Sequence, residues 1–75
     1  MIGYLMRETL IDALLAGPPH RVFVKHAHAK SQMQVLTELE RRGLITSGPF
    51  PVLTQAGIAE AQWFTRSGSE ENENT

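Results

Sequence analysis

The chain has no cysteine, which excludes a disulfide framework, a thiol nucleophile and a thiolate zinc site. It also lacks any run of about eighteen apolar residues, because Arg7, Glu8 and Asp12 break the first hydrophobic stretch; neither a membrane-spanning helix nor a secretory leader is expected. A cytoplasmic protein without a membrane partner follows as the expectation. There is no glycine-rich phosphate loop and no G-x-S-x-G setting for Ser31, Ser47, Ser67 or Ser69, and Glu8, Asp12, Glu38, Glu40 and Glu60 show no spacing that pairs them for acid and base work. The expectation is a protein that is not an enzyme, with no cofactor and no small-molecule substrate. Finally, no acidic residue lies between Pro18 and Thr37.

What is present amounts to one domain. Seventy-five residues stand near the lower limit at which a single core folds alone, so packing or self-association must supply what a larger core would. The net charge of -1 conceals an uneven distribution. Glu70, Glu71 and Glu73 fall in the closing S-G-S-E-E-N-E-N-T, which has no apolar residue and is expected to be a disordered tail over 67–75. The remaining domain, 1–66, holds seven basic against five acidic residues. Its acid-free middle carries Arg21, Lys25 and Lys30 with His20, His26 and His28, a place for an anionic partner. An ordinary solvated surface is the alternative for so small a patch. His26 and His28, as H-x-H, project together only from an extended segment and lack a nearby third ligand, so no metal site is expected.

Gly17-Pro18-Pro19 and Ser47-Gly48-Pro49-Phe50-Pro51 divide the chain into three blocks. In the first, helical spacing puts Ile2, Met6, Leu10, Ala13 and Leu14 on one arc and Tyr4, Ile11 and Leu15 on a neighbouring one. One arc suits an internal core and the second a partner chain. In the middle block, Ser31 followed by Gln34 reads as a capping box and Gly43 as a left-handed stop, predicting a helix over 32–42 with Val35, Leu36 and Leu39 buried and Met33 at the edge. Residues 21–28 read as a short helix, with a strand through Val22-Phe23-Val24 as the alternative. In the third block, Leu44-Ile45-Thr46 and Val52-Leu53-Thr54 suit a two-stranded hairpin. Thr54 then caps a last helix with Gly57, Ile58, Ala61 and Phe64 on one side and Ala56, Ala59 and Trp63 on the other.

The string V-L-T-E-L-E-R-R-G-L-I, Val35 to Ile45, followed by V-L-T-Q-A-G-I-A-E-A, Val52 to Ala61, resembles the recognition helix, wing and closing helix of winged helix-turn-helix repressors of the MarR and PadR kinds. The resemblance implies a mainly α chain with a small β-hairpin: a minimal winged helix-turn-helix of three helices, a two-stranded wing and the acidic tail. It implies a transcriptional regulator that binds double-stranded DNA as a homodimer. The chain departs from those repressors in having no room for extra dimerisation helices and no cation in the wing loop S-G-P-F-P.

On that reading the middle helix enters the major groove. Ser31, Gln32, Gln34 and Thr37 then supply base-reading groups, while Lys25, His28, Lys30 and Arg41 meet phosphates. Glu38 opposes the arrangement unless it accepts from a cytosine amino group or pairs with Arg41 or Arg42. Dimer contacts are expected from Tyr4, Ile11, Leu15 and Trp63. The alternative is a winged helix used as a protein-interaction module, an adaptor or inhibitor of the kind a phage or mobile element encodes, with no DNA binding.

Overall fold

A computed structural model describes the backbone of residues 2–25 and 27–73, with side chains described for 3–25 and 27–66. Three helices follow in order: α1 (Ile2–Leu15), α2 (Ala29–Arg41) and α3 (Gln55–Glu73). The chain is mainly helical, as expected. Among the described residues the β-structure consists of two isolated antiparallel bridges, Arg21 with Val52 and Ile45 with Leu53, and no ladder long enough to be a strand.

Each helix buries the side its sequence predicts. On α1, Met6, Leu10 and Ala13 are buried, whereas Tyr4 and Leu15 on the second arc are exposed. On α2, Val35 and Leu39 are completely buried, Leu36 is half-buried and Met33 is exposed. On α3, Gly57 and Ala61 are buried, Ile58 and Phe64 pack against the core, and Ala56, Ala59 and Trp63 face solvent. Val22, Ile45 and Leu53 close the core from the bridged segments. Burying a Leu or Val side chain contributes about 1.5–3 kcal/mol, which the completely buried Leu10, Val35 and Leu39 realise in full.

Two turns shape the frame. α2 ends where expected, at Gly43 in the left-handed region (φ 75°). There Gly43 N–H donates to Glu40 O and Leu44 N–H to Leu39 O, at 3.0 and 2.9 Å, satisfying carbonyls the helix leaves open. After α1 the chain reverses through Gly17 and a cis Pro18-Pro19 bond. His20 then takes a positive φ of 62° and its ring bonds through Nδ1 to the Ala13 carbonyl at 3.0 Å, so this imidazole ties the linker to α1.

Four expectations are corrected. Residues 21–28 form no short helix in their described part, so the first member of a helix-turn-helix pair is not formed. Arg21 is instead drawn into its bridge with Val52, with Val22 N–H donating to Pro51 O and Leu53 N–H to His20 O, each at 3.0 Å. Second, α2 starts at Ala29 rather than at 32, so Ser31 lies inside its first turn and caps nothing; the N-cap is His28, without a side-chain bond. Alanine and lysine favour the helix enough to extend it past the predicted box. Third, the hairpin is reduced to the single Ile45–Leu53 bridge. Val52 N–H turns to the Thr46 hydroxyl at 3.0 Å and Leu44 N–H to Leu39 O at 2.9 Å, so neither returns a backbone bond across the hairpin, while Pro51, lacking an N–H, cannot extend the separate Arg21–Val52 bridge. Fourth, α3 runs to Glu73, past the expected boundary at 66. No proline stops it and Glu70 and Glu71 are good helix formers; residues 74–75 lie outside the described part.

Candidate nucleic-acid interface

The outward side of α2 follows from its buried side. Successive residues turn about 100°, so Val35 and Leu39 inside put Lys30, Gln34, Thr37 and Arg41 in one row outside. Lys30, Gln34, Thr37 and Arg41 are exposed, as are Lys25 and His28 before the helix, while Ser31 is half-buried. Met33 also faces solvent at the edge of this row, a large apolar group beside polar ones.

Not every residue expected to read bases is free to do so. Gln32 lies on the flank of α2 toward the core, half-buried, and its Nε2 donates to the Ala27 carbonyl at 3.0 Å. It thereby fastens the segment before the helix and is withdrawn from the row. Ser31 is similarly off to the side. The nucleus of the candidate face is therefore Lys30, Gln34, Thr37 and Arg41.

Glu38 beside that row is paired with two arginines. Arg41 donates to both of its carboxylate oxygens through Nε and a terminal nitrogen, and Arg42 Nε donates to Oε1 at 2.9 Å. These hydrogen bonds, Arg41 first, hold the Glu38 carboxyl down at about 2, and the same contact raises the Arg41 guanidinium above its ordinary value. A carboxylate that would repel phosphate is thus neutralised within its own helix, at the expense of tying Arg41 down. Glu38, Arg41 and Arg42 together carry one net positive charge, which the exposed Glu40 of the same turn offsets.

The residues expected at a dimer contact divide into two stripes. Tyr4, Ile11 and Leu15 lie along the side of α1 away from Leu10, with Tyr4 and Leu15 exposed and Ile11 half-buried. Trp63 lies on the outward side of α3, edge-on to Phe64 with ring centroids 5.3 Å apart. Phe64 in turn sits under the Arg7 guanidinium at 5.8 Å. No group of three His, Asp or Glu side chains comes together among the described residues; His26 lies outside them.

Two features escaped the sequence reading. One is a cleft of about 440 Å³ between α1, the end of α2 and α3, lined by Leu10, Leu39 and Phe64 with Arg7, Arg42 and Glu60. The other is an apolar groove of about 260 Å³ flanked by Phe23 and Phe50. Both join residues from separate blocks, so no local spacing announces them. No described helix is long and apolar enough to cross a membrane. In comparison with known proteins, no family, no curated protein and no solved structure matches the chain.

Proposed function

We propose that the chain is a small DNA-binding transcriptional regulator that lays the outward side of α2 in the major groove and works as a homodimer. One observation carries the reading: Lys30, Gln34, Thr37 and Arg41 occupy one exposed row of α2, and the acid beside them is neutralised by Arg41 and Arg42. An amide, a hydroxyl with a methyl, and two cations are base-reading and phosphate-binding types. The order of helix, bridged segment, helix, antiparallel return and helix suits an abbreviated winged helix, with an extended segment in place of the first helix of a helix-turn-helix pair. Lys25 and His28 stand exposed at the start of α2, whose first-turn N–H groups have no side-chain cap and favour a phosphate. The loop at 47–51 carries no charge and so adds no cation to phosphate binding.

The homodimer supplies what one copy lacks. A single domain with about four phosphate contacts binds DNA weakly, and two copies on a near-palindrome combine their contacts. The exposed Tyr4 and Leu15 on α1 and Trp63 on α3 are the apolar surface offered for it. Amide NMR spectra of the protein titrated with a mixed-sequence duplex test the assignment: shifts centred on Lys30, Gln34, Thr37 and Arg41 support it, and shifts that leave this row untouched refute it.

A second reading, a protein-interaction module without DNA binding, is favoured by exposed Met33 at the edge of the same row. Met33→Gln separates the two. It leaves phosphate contacts intact, whereas a protein partner seated on α2 loses its apolar contact.

A further inference from the structure

We infer that the groove between Phe23 and Phe50 is a docking site for an extended acidic peptide segment with an apolar anchor residue. The site lies apart from the outward row of α2 and does not depend on that row binding DNA. Its walls come from three places: Arg21 to Val24 before α2, Gln32 and Leu36 on one flank of α2, and Pro49 to Pro51 in the loop between the two bridged segments. Phe23 and Phe50 are 62% and 76% exposed. Two phenylalanine rings left in water beside a groove represent apolar surface that an occupant would cover.

The size of the groove argues for a side chain. Its volume of about 260 Å³ falls below the ~300–1,000 Å³ usual for small-molecule sites, yet accommodates one large apolar residue. The backbone argues for an extended occupant. Antiparallel pairing of Arg21 with Val52 uses the Val22 N–H and the His20 carbonyl, and leaves Arg21 with its own groups turned the other way. Among the described residues no backbone group of Arg21, Phe23, Val24 or Lys25 takes part in a backbone hydrogen bond. Exposure alternates along the segment: Arg21 out, Val22 buried, Phe23 out, Val24 half-buried, Lys25 out. This is a strand in side-chain pattern that lacks a partner on its free edge, and strand addition supplies one.

Charge selects the chemistry of the occupant. Among the described residues lining the groove Arg21 alone is charged, and Lys25 follows it on the exposed side of the same extended segment. A peptide with glutamate or aspartate on alternate positions meets Arg21 there, and none of the described lining residues is acidic. The surface would let the protein recruit an acidic segment of a partner while α2 is engaged elsewhere, since Leu36 and Gln32 lie on a different side of α2 from Lys30 and Thr37.

The test uses the full chain and a fluorescein-labelled octapeptide that alternates glutamate with valine around one central leucine, alongside the same peptide with lysine for glutamate. Anisotropy should show saturable binding of the acidic peptide alone, with amide shifts on Arg21 to Lys25, Leu36 and Phe50. Phe50→Ser and Phe23→Ser, at exposed positions that leave the amide spectrum folded, should each weaken it at least about tenfold, and Arg21→Glu, at the charged lining residue, should weaken it as well. Absence of binding at millimolar peptide, equal binding of the lysine peptide, or unchanged affinity in both serine variants overturns the proposal. So does a titration in which the amides of Phe23 and Phe50 respond to the DNA duplex and not to the peptide. Failure of the peptide with intact DNA binding, or the reverse, shows which of the two sites is wrong.

Discussion

Gly57 approaches the Leu44 carbonyl so closely that a Cβ on it would stand 2.0 Å from that oxygen and 3.2 Å from the Leu53 side chain. The first turn of α3 thus packs directly on the chain leaving α2, an approach only glycine permits. Gly57→Ala must therefore push α3 away from backbone that cannot yield, and is expected to cost about 3 kcal/mol, the upper end of overpacking effects. Urea denaturation checks it. Gly3→Ala is the control, since nothing lies within 4 Å of its added methyl; it should stabilise α1 by about 0.5 kcal/mol.

The same junction is fastened by Thr54. Its hydroxyl accepts from Gly57 N–H at 3.1 Å and donates to the Gly43 carbonyl at 2.7 Å, while its own N–H donates to Leu44 O at 3.0 Å. One side chain caps α3 and binds it to the stop of α2. Thr54→Ala should lower stability by about 1–2 kcal/mol, and Thr54→Ser should retain most of it. Thermal unfolding of the pair reads the difference.

Glu38 gives a pH prediction. Its folded pKa lies near 2, below the unfolded value of 4.5, so its contribution is complete above the unfolded value and is lost as pH falls toward 2. An NMR titration of the Glu38 carboxyl should place its midpoint well below that of ordinary glutamates, and Arg41→Gln should raise it. Glu38→Gln releases Arg41 and Arg42 to phosphate and should strengthen DNA binding, with a steeper salt dependence. Weaker binding confined to sites with a particular cytosine would mean instead that Glu38 reads a base.

How much of this was legible depends on range. Gly43 and Thr54 announce themselves because a helix stop and an N-cap depend on a few neighbours, and both occur as read. The apolar arcs of α1 and α3 were likewise legible from spacing. Residues 21–28 were not: Val22 and Phe23 are extended because Arg21 meets Val52, thirty-one positions away, and no local pattern records that pairing. The beginning of α2 was misplaced because Ser31 and Gln34 have the spacing of a capping box while Ala29 and Lys30 prolong the helix beyond it. Of the candidate face, Gln34, Thr37 and Arg41 were readable from periodicity, and Lys30 only as a cation ahead of the expected helix, which in fact begins at Ala29. The loss of Gln32 to the Ala27 carbonyl was not.

Association should be carried by the outer stripe of α1. Tyr4→Glu with Leu15→Glu places charge on exposed positions, so the fold should persist while self-association is lost. Sedimentation of the native chain with duplex DNA should give a dimer, and this variant a monomer. A native chain that remains monomeric at high micromolar concentration with DNA present would contradict the homodimer.

The measurement that bears most directly on the function is anisotropy of a labelled mixed-sequence duplex titrated with the protein at low and near-physiological salt, repeated with Lys30→Glu. Binding through Lys30 and Arg41 of the outward row together with Lys25 and His28 ahead of it predicts a log-log salt slope of about -3.6 per copy, at about 0.9 for each of some four phosphate contacts. The variant should bind more weakly, with a shallower slope. Absence of binding by the native chain even at low salt, or binding that the variant leaves unchanged, would contradict the account.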